Sequence, residues 1–134
     1  MTKKRVVHYI NQFYAGMGGE DTASVGLSER DGAVGPGAAL ALALGDDYEI
    51  VKTVICGDNT IAEHTKEILP QIVKIVSDAK ADLFVAGPGF NAGRYGTAAG
   101  GVADAVQKKL GIPAVSGMYE ENPGADMFKK SVFI

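Results

Sequence analysis

A chain of 134 residues suits one compact domain, and with 46% hydrophobic and 22% charged residues it can bury a core without disulfides or metals. A net charge of −3 leaves no basic footprint for nucleic acid, and no apolar run reaches the roughly 20 residues of a membrane span. The first residues lack the pattern of a secretory signal and Cys56 is the single cysteine, so no internal disulfide is expected and the setting reads as cytoplasmic.

Lys3, Lys4 and Arg5 read as a solvated start before the first strand, Val6 to Phe13, which is rich in β-branched and aromatic residues. Its near-continuous apolar character suits a strand buried on both faces. Gly16-Met17-Gly18-Gly19 follows, and Asp31-Gly32 is a turn signal suited to the tip of a small hairpin. Gly35-Pro36-Gly37 opens a short helix of good helix formers, Ala38 to Leu44, that Gly45 closes.

Tyr48 to Cys56 is the next strand. Thr60 and Glu63 have capping-box spacing, and Ile61, Thr65, Ile68, Ile72 and Val76 form one face of a helix. Pro70 inside that pattern predicts a kink or break. Asp82 to Ala86 is a third strand. After the loop from Gly87 to Arg94, residues Ala99, Val102, Val106 and Leu110 line a helix closed by Gly111, with Pro113 beyond. Pro113 to Met118 is a fourth strand, and Val132-Phe133-Ile134 reads as the start of a fifth. An apolar strand at that point suggests a chain that continues.

Strands alternating with helices predict an α/β fold, Rossmann-like and doubly wound, with a mainly parallel sheet and helices on both faces. Residues 1–134 form a single α/β domain in this reading. In such sheets ligands sit outside the carboxyl ends of the strands. That rule selects the loops around residues 11–22, 56–60, 87–95 and 116–122. The 18 glycines cluster at 16–19, 32–37, 87–101 and 117–124, largely in these same loops.

Within those loops, Gly16-Met17-Gly18-Gly19 matches neither G-x-G-x-x-G nor a P-loop, because no Lys-Ser or Lys-Thr follows. The segment Gly87 to Gly96 joins a buried strand to a helix whose free N–H groups can hold an anion, and Arg94 can grip a carboxylate. Arg94 can equally pair with Asp58, Glu120 or Glu121 and tie loops together. Cys56 ends a strand at the selected edge, where a nucleophile needs a neighbour that lowers its pKa. His8 and His64 are the only histidines, and a buried inert thiol is the simpler reading of Cys56. Two histidines and one cysteine without ligand spacing argue against a zinc site. Tyr119, Glu120 and Glu121 read as solvated turn residues.

Larger segments go further. Val7-His8-Tyr9-Ile10-Asn11-Gln12-Phe13 followed by Gly18-Gly19-Glu20-Asp21 resembles the opening of the selenoprotein subunit of glycine, sarcosine and betaine reductase component B. Val34-Gly35-Pro36-Gly37, Val54-Ile55-Cys56-Gly57-Asp58-Asn59, Phe90-Asn91-Ala92-Gly93-Arg94-Tyr95-Gly96 and Gly117-Met118-Tyr119-Glu120-Glu121-Asn122-Pro123-Gly124 resemble the same family in the same order. D-proline reductase is a related system. The resemblance implies reductive C–N bond cleavage, in which a pyruvoyl group on a partner subunit forms a Schiff base with the substrate amine and a selenolate attacks the α-carbon.

The resemblance also implies partners: the pyruvoyl-containing subunit of component B, selenoprotein component A, a small amine substrate and an oligomeric assembly, with no nucleic acid or membrane. Family chains are longer, and the selenocysteine lies in their downstream part. This chain therefore carries no cofactor of its own, no residue identified as catalytic and, with Cys56 as the one weak stand-in, no expected turnover alone. The residues implied for substrate or partner binding are Asn11, Gly18, Gly19, Glu20, Asp58, Asn91, Arg94, Tyr95, Tyr119 and Glu120. A docking module for the pyruvoyl subunit and a free-standing small-molecule-binding protein are the alternative functions.

Overall fold

A computed structural model describes residues 3–134. Strand β1, Lys4–Asn11, is the centre of a five-stranded sheet of order β2-β3-β1-β4-β5, where β2 is Ser28–Asp31, β3 Tyr48–Cys56, β4 Leu83–Ala86 and β5 Ala114–Ser116. β1 pairs in parallel with β3 from Lys4↔Tyr48 to Asn11↔Cys56, with a register shift between Val6 and Val7, and with β4 from Val6↔Leu83 to Tyr9↔Ala86. β4 pairs in parallel with β5, so four parallel strands bring their carboxyl ends to one edge. The fold is α/β as the alternating pattern predicts.

The central strand is apolar on both faces because helices cover both. On one face Val7 and Tyr9 of β1, Val54 and Cys56 of β3, and Phe84 and Ala86 of β4 pack against α2 (Asp58–Glu63), α3 (Thr65–Asp78) and α4 (Gly93–Leu110). Strand alternation turns His8 to the other face. There α1, Gly37–Leu44, approaches so closely that a Cβ on Gly37 would stand 3.5 Å from His8 Nδ1. Crossovers heading toward β4 and β5 run over the first face and the one heading toward β3 runs over the second, as right-handed connections require.

Several expectations need correction. Asp31-Gly32 is not a hairpin tip: it ends β2, which pairs antiparallel with β3 from Ser28↔Ile55 to Asp31↔Lys52, and the chain then enters α1. The pairing partner lies beyond that helix, out of reach of a local turn signal. Thr60 and Glu63 form no capping box, because Thr60 Oγ1 instead donates to Val25 O at 2.7 Å and the helix already starts at Asp58 after Gly57. The helix breaks at His64 rather than at Pro70. Thr65 Oγ1 donates to Ile61 O at 2.6 Å at that break. Pro70 is accommodated on the exposed face, where the Lys66 carbonyl it strips of a donor belongs to an exposed residue.

Val132-Phe133-Ile134 contributes one parallel bridge, Val115↔Phe133, with Ser116 N donating to Phe133 O at 2.9 Å, rather than a full fifth strand. Tyr119, Glu120 and Glu121 are exposed in a turn as expected, and the sequence pattern carries no sign of helix α5, Pro123–Phe128, that follows. Asn122 caps it by accepting from Gly124 N at 2.8 Å. Among the described residues no helix is long and apolar enough to cross a membrane.

Candidate functional site

The ends of β1 and β3 place Asn11 and Asp58 side by side. Asn11 Nδ2 donates to Asp58 Oδ2 at 3.1 Å, and Asn11 Oδ1 accepts from Tyr14 N at 3.1 Å, which turns the chain sharply after β1. Gln12 completes the join: its Oε1 accepts from Asp58 N at 3.1 Å while its Nε2 donates to Gly19 O. Gly57 is obligatory here, since a Cβ would meet Ala23 O at 2.3 Å. Asp58 is thus 8% exposed. Burial raises its pKa, against the lowering effects of the Asn11 bond and the nearby Arg94 charge. Its Oδ1, with the buried hydroxyls of Tyr9 and Tyr95, finds no hydrogen-bond partner among the described residues.

Arg94 stands in the first turn of α4, where the third parallel strand hands the chain to its helix. Its guanidinium donates to Glu20 Oε1 and to Asn59 Oδ1, so it spans the loop after β1, the start of α2 and the start of α4. Its partner is therefore Glu20, not Asp58, Glu120 or Glu121. Glu20 reaches it from a single 3₁₀ turn, Glu20–Thr22, held by Thr22 Oγ1 donating to Gly19 O at 3.0 Å. Gly18 at φ 130° sets up that turn, and a Cβ there would meet Thr22 Oγ1 at 2.8 Å. Glu20 is 76% exposed at its side chain and Arg94 42%, so the pair is open to competition from other anions.

An aromatic column backs this cluster. Tyr95, buried on α4, lies 6.4 Å from Tyr9 and 5.6 Å from Tyr14 between ring centroids, and Tyr14 lies 5.7 Å from Phe90. Burial pushes the Tyr9 and Tyr95 hydroxyls well up, so both stay protonated.

Cys56 is fully buried in the core, and burial pushes its thiol up to about 11. His8 cannot activate it: the two lie on opposite faces of the sheet, and His8 Nε2 donates to Gly87 O at 2.6 Å. The cysteine is a core residue in this structure.

The remaining candidates sit apart from the cluster. Asn91, Tyr119 and Glu120 are exposed and make no side-chain hydrogen bond among the described residues; only the Tyr119 backbone is anchored, by N–H donation to Phe90 O at 2.7 Å. What fixes this loop is Asn122, fully buried, whose Nδ2 donates to Phe90 O at 3.1 Å and Ala92 O at 3.0 Å. Asn122, Gln12 and Tyr14 carry no sequence signal of their importance, because their role is to hold backbone and pack rings, for which a lone polar or aromatic residue has no characteristic spacing. No group of three or more potential metal ligands occurs among the described residues.

The family described as glycine/sarcosine/betaine reductase selenoprotein B matches residues 3–134. Over 134 residues the chain is 56% identical to the sarcosine reductase complex component B subunit beta of Peptoclostridium acidaminophilum and 58% identical to the glycine reductase complex component B subunit gamma of Carboxydothermus hydrogenoformans. All of this chain and 31% of each relative is covered. The betaine reductase complex component B subunit beta of Peptoclostridium acidaminophilum is 39% identical over 131 residues, 98% of this chain and 30% of that protein. The chain thus spans about a third of the length of these relatives, as their N-terminal portion. No solved structure matches.

Proposed function

The chain belongs to the glycine/sarcosine/betaine reductase selenoprotein B family, and we propose that it forms the N-terminal α/β part of a component B subunit and supplies the edge that binds a small amine substrate. In the complete complex a pyruvoyl carbonyl on a partner subunit serves as electron sink and a downstream selenocysteine as nucleophile. This part's own task is to bind and orient. Glycine, sarcosine and betaine all keep a carboxylate, which a guanidinium fork holds better than an ammonium does.

The observation that carries this reading is Arg94 at the carboxyl edge of the parallel sheet, held by exposed Glu20 and by Asn59. A substrate carboxylate can take the place of Glu20, since an exposed ion pair contributes only ~0–1 kcal/mol. Asp58 Oδ1, buried and without a hydrogen-bond partner among the described residues, becomes an acceptor for the N–H of glycine or sarcosine once displacement of Glu20 opens the loop above it. Betaine has no N–H, and the rings of Tyr14 and Phe90 offer its cation a π face instead. Held at its carboxylate, the substrate presents its α-carbon in one orientation, which is catalysis by positioning. The raised thiol of buried Cys56 supports the expectation that the chain alone does not turn over. Exposed Phe13 and Phe90 at the same edge favour a second role there, in docking the pyruvoyl-bearing subunit.

The test is Arg94→Lys in the full-length subunit assembled with its partners. A charge-assisted bond of ~1.5–3 kcal/mol predicts a rise in substrate KM of about ten- to a hundredfold, with the melting temperature and assembly retained. An unmoved KM with a lower melting temperature or weaker assembly makes Arg94 an internal tie and removes it from the substrate site.

A further inference from the structure

A cavity of about 740 Å³ lies on the outer surface of the helical layer, away from the sheet, between α2–α3, α4 and α5. Its floor is the α4 row Ala98, Gly101 and Ala105, spaced three and four residues apart, and its walls include Leu69 of α3 and Met127 and Phe128 of α5. Met127 is 62% exposed although it faces an almost wholly apolar surface. An open apolar surface of this kind marks an interaction site.

Shape and dimensions restrict the occupant. The lining runs along α4 from Gly93 to Ala105, about 18 Å at 1.5 Å per residue, or three helical turns. Small residues on the floor let a second backbone approach closely, since interaxial distance follows the side chains at the contact. The trough therefore suits an α-helix carrying large apolar side chains at i, i+4 and i+7. A second copy presenting the same surface does not fit, because a two-fold contact sets one concave face against another and fills neither.

We propose that the groove seats an apolar helix from the C-terminal two thirds that the full-length proteins of this family carry. Relatives extend to about three times the length matched here, so that material must pack somewhere. The chain passes the groove on its way out: Ser131 Oγ donates to Asp104 Oδ1 at 2.8 Å and Asp104 lines the groove, before residues 132–134 turn in beside β5. Tethering at that point gives a same-chain helix an effective concentration of order mM, which a separate subunit lacks. The opposite end of the groove is lined by Arg94, so the seated helix brings the C-terminal part up to the Glu20–Arg94–Asn59 cluster.

The experiment uses the full-length protein with Met127→photo-methionine, a conservative change at an exposed side chain, prepared as a mixture of ¹⁴N- and ¹⁵N-labelled chains. After irradiation, the expected product joins the peptide containing residue 127 to a peptide beyond residue 134 of the same isotope. Mixed-isotope adducts, which signal a second copy, overturn the proposal. So do adducts to another subunit, or recovery of solvent-quenched product alone. None of these outcomes depends on whether Arg94 binds substrate, so this inference and the proposed function fail independently.

Discussion

Asn122 clamps two loops that lie 32 residues apart in the chain. Replacing it by Ala removes three hydrogen bonds at once: those to the carbonyls of Phe90 and Ala92 and the one from Gly124 N. The two carbonyls keep other partners, since Phe90 O accepts from Tyr119 N and Ala92 O from Gly96 N. They lose strength rather than becoming orphans. Gly124 N is left bare at a buried position. At about 1 kcal/mol per bond, the local cost is about 3 kcal/mol. That is about a hundredfold in an opening equilibrium. Peptide-resolved hydrogen exchange on the full-length protein reads it directly: protection at residues 87–96 and 119–128 should fall by that factor, while β1 and β3 stay unchanged. A change below about threefold in both segments, or an equal loss across the whole sheet, refutes the assignment of Asn122 as the clamp between these loops.

Two further outcomes follow from buried acids. The raised folded-state pKa of Asp58 means that its stabilising contribution is complete below its ordinary value of 3.8 and fades as pH rises through the folded value. Asp58→Asn removes that titration, so the stability of the variant relative to the unchanged protein should improve as pH rises above the ordinary value of 3.8; denaturation at several pH values measures it, and a parallel pair of curves contradicts it. Cys56, with its thiol at about 11, is expected to alkylate in the native protein roughly a hundredfold more slowly than an ordinary exposed thiol. Mass spectrometry of iodoacetamide-treated protein tests this, and rapid labelling of Cys56 would promote it from core residue to nucleophile.

The parallel core was legible because its strands are apolar on both faces and the helices between them keep a 3.6-residue period. Val7 and Tyr9 on one face and His8 and Ile10 on the other sit on one continuous apolar run. What escaped depended on distant partners. β2, with the sequence Ser-Glu-Arg-Asp, has no apolar pattern and is a strand only because β3 offers it an edge. α5 has six residues, two of them Pro123 and Gly124, and exists because Asn122 caps it and Gly124 lies against Gly96, where a Cβ would meet the carbonyl oxygen at 2.3 Å. Sheet geometry selected the edge carrying Asn11, Asp58 and Arg94 without any motif. The choice of Glu20 over Glu120 and Glu121 as the partner of Arg94 turned on how the loop after β1 folds, which a sequence does not display.

The central claim is that the carboxyl edge of this sheet binds the substrate amine. Hydrogen exchange of the assembled component B, with and without saturating glycine, sarcosine or betaine, tests it most directly. Protection should rise at residues 12–22, 57–60 and 87–95 with the cognate substrate, and remain unchanged at residues 45–50 and 78–82, at the amino ends of the strands. Substrate-dependent protection confined to other parts of the complex, with these three loops exchanging at unaltered rates, contradicts the claim.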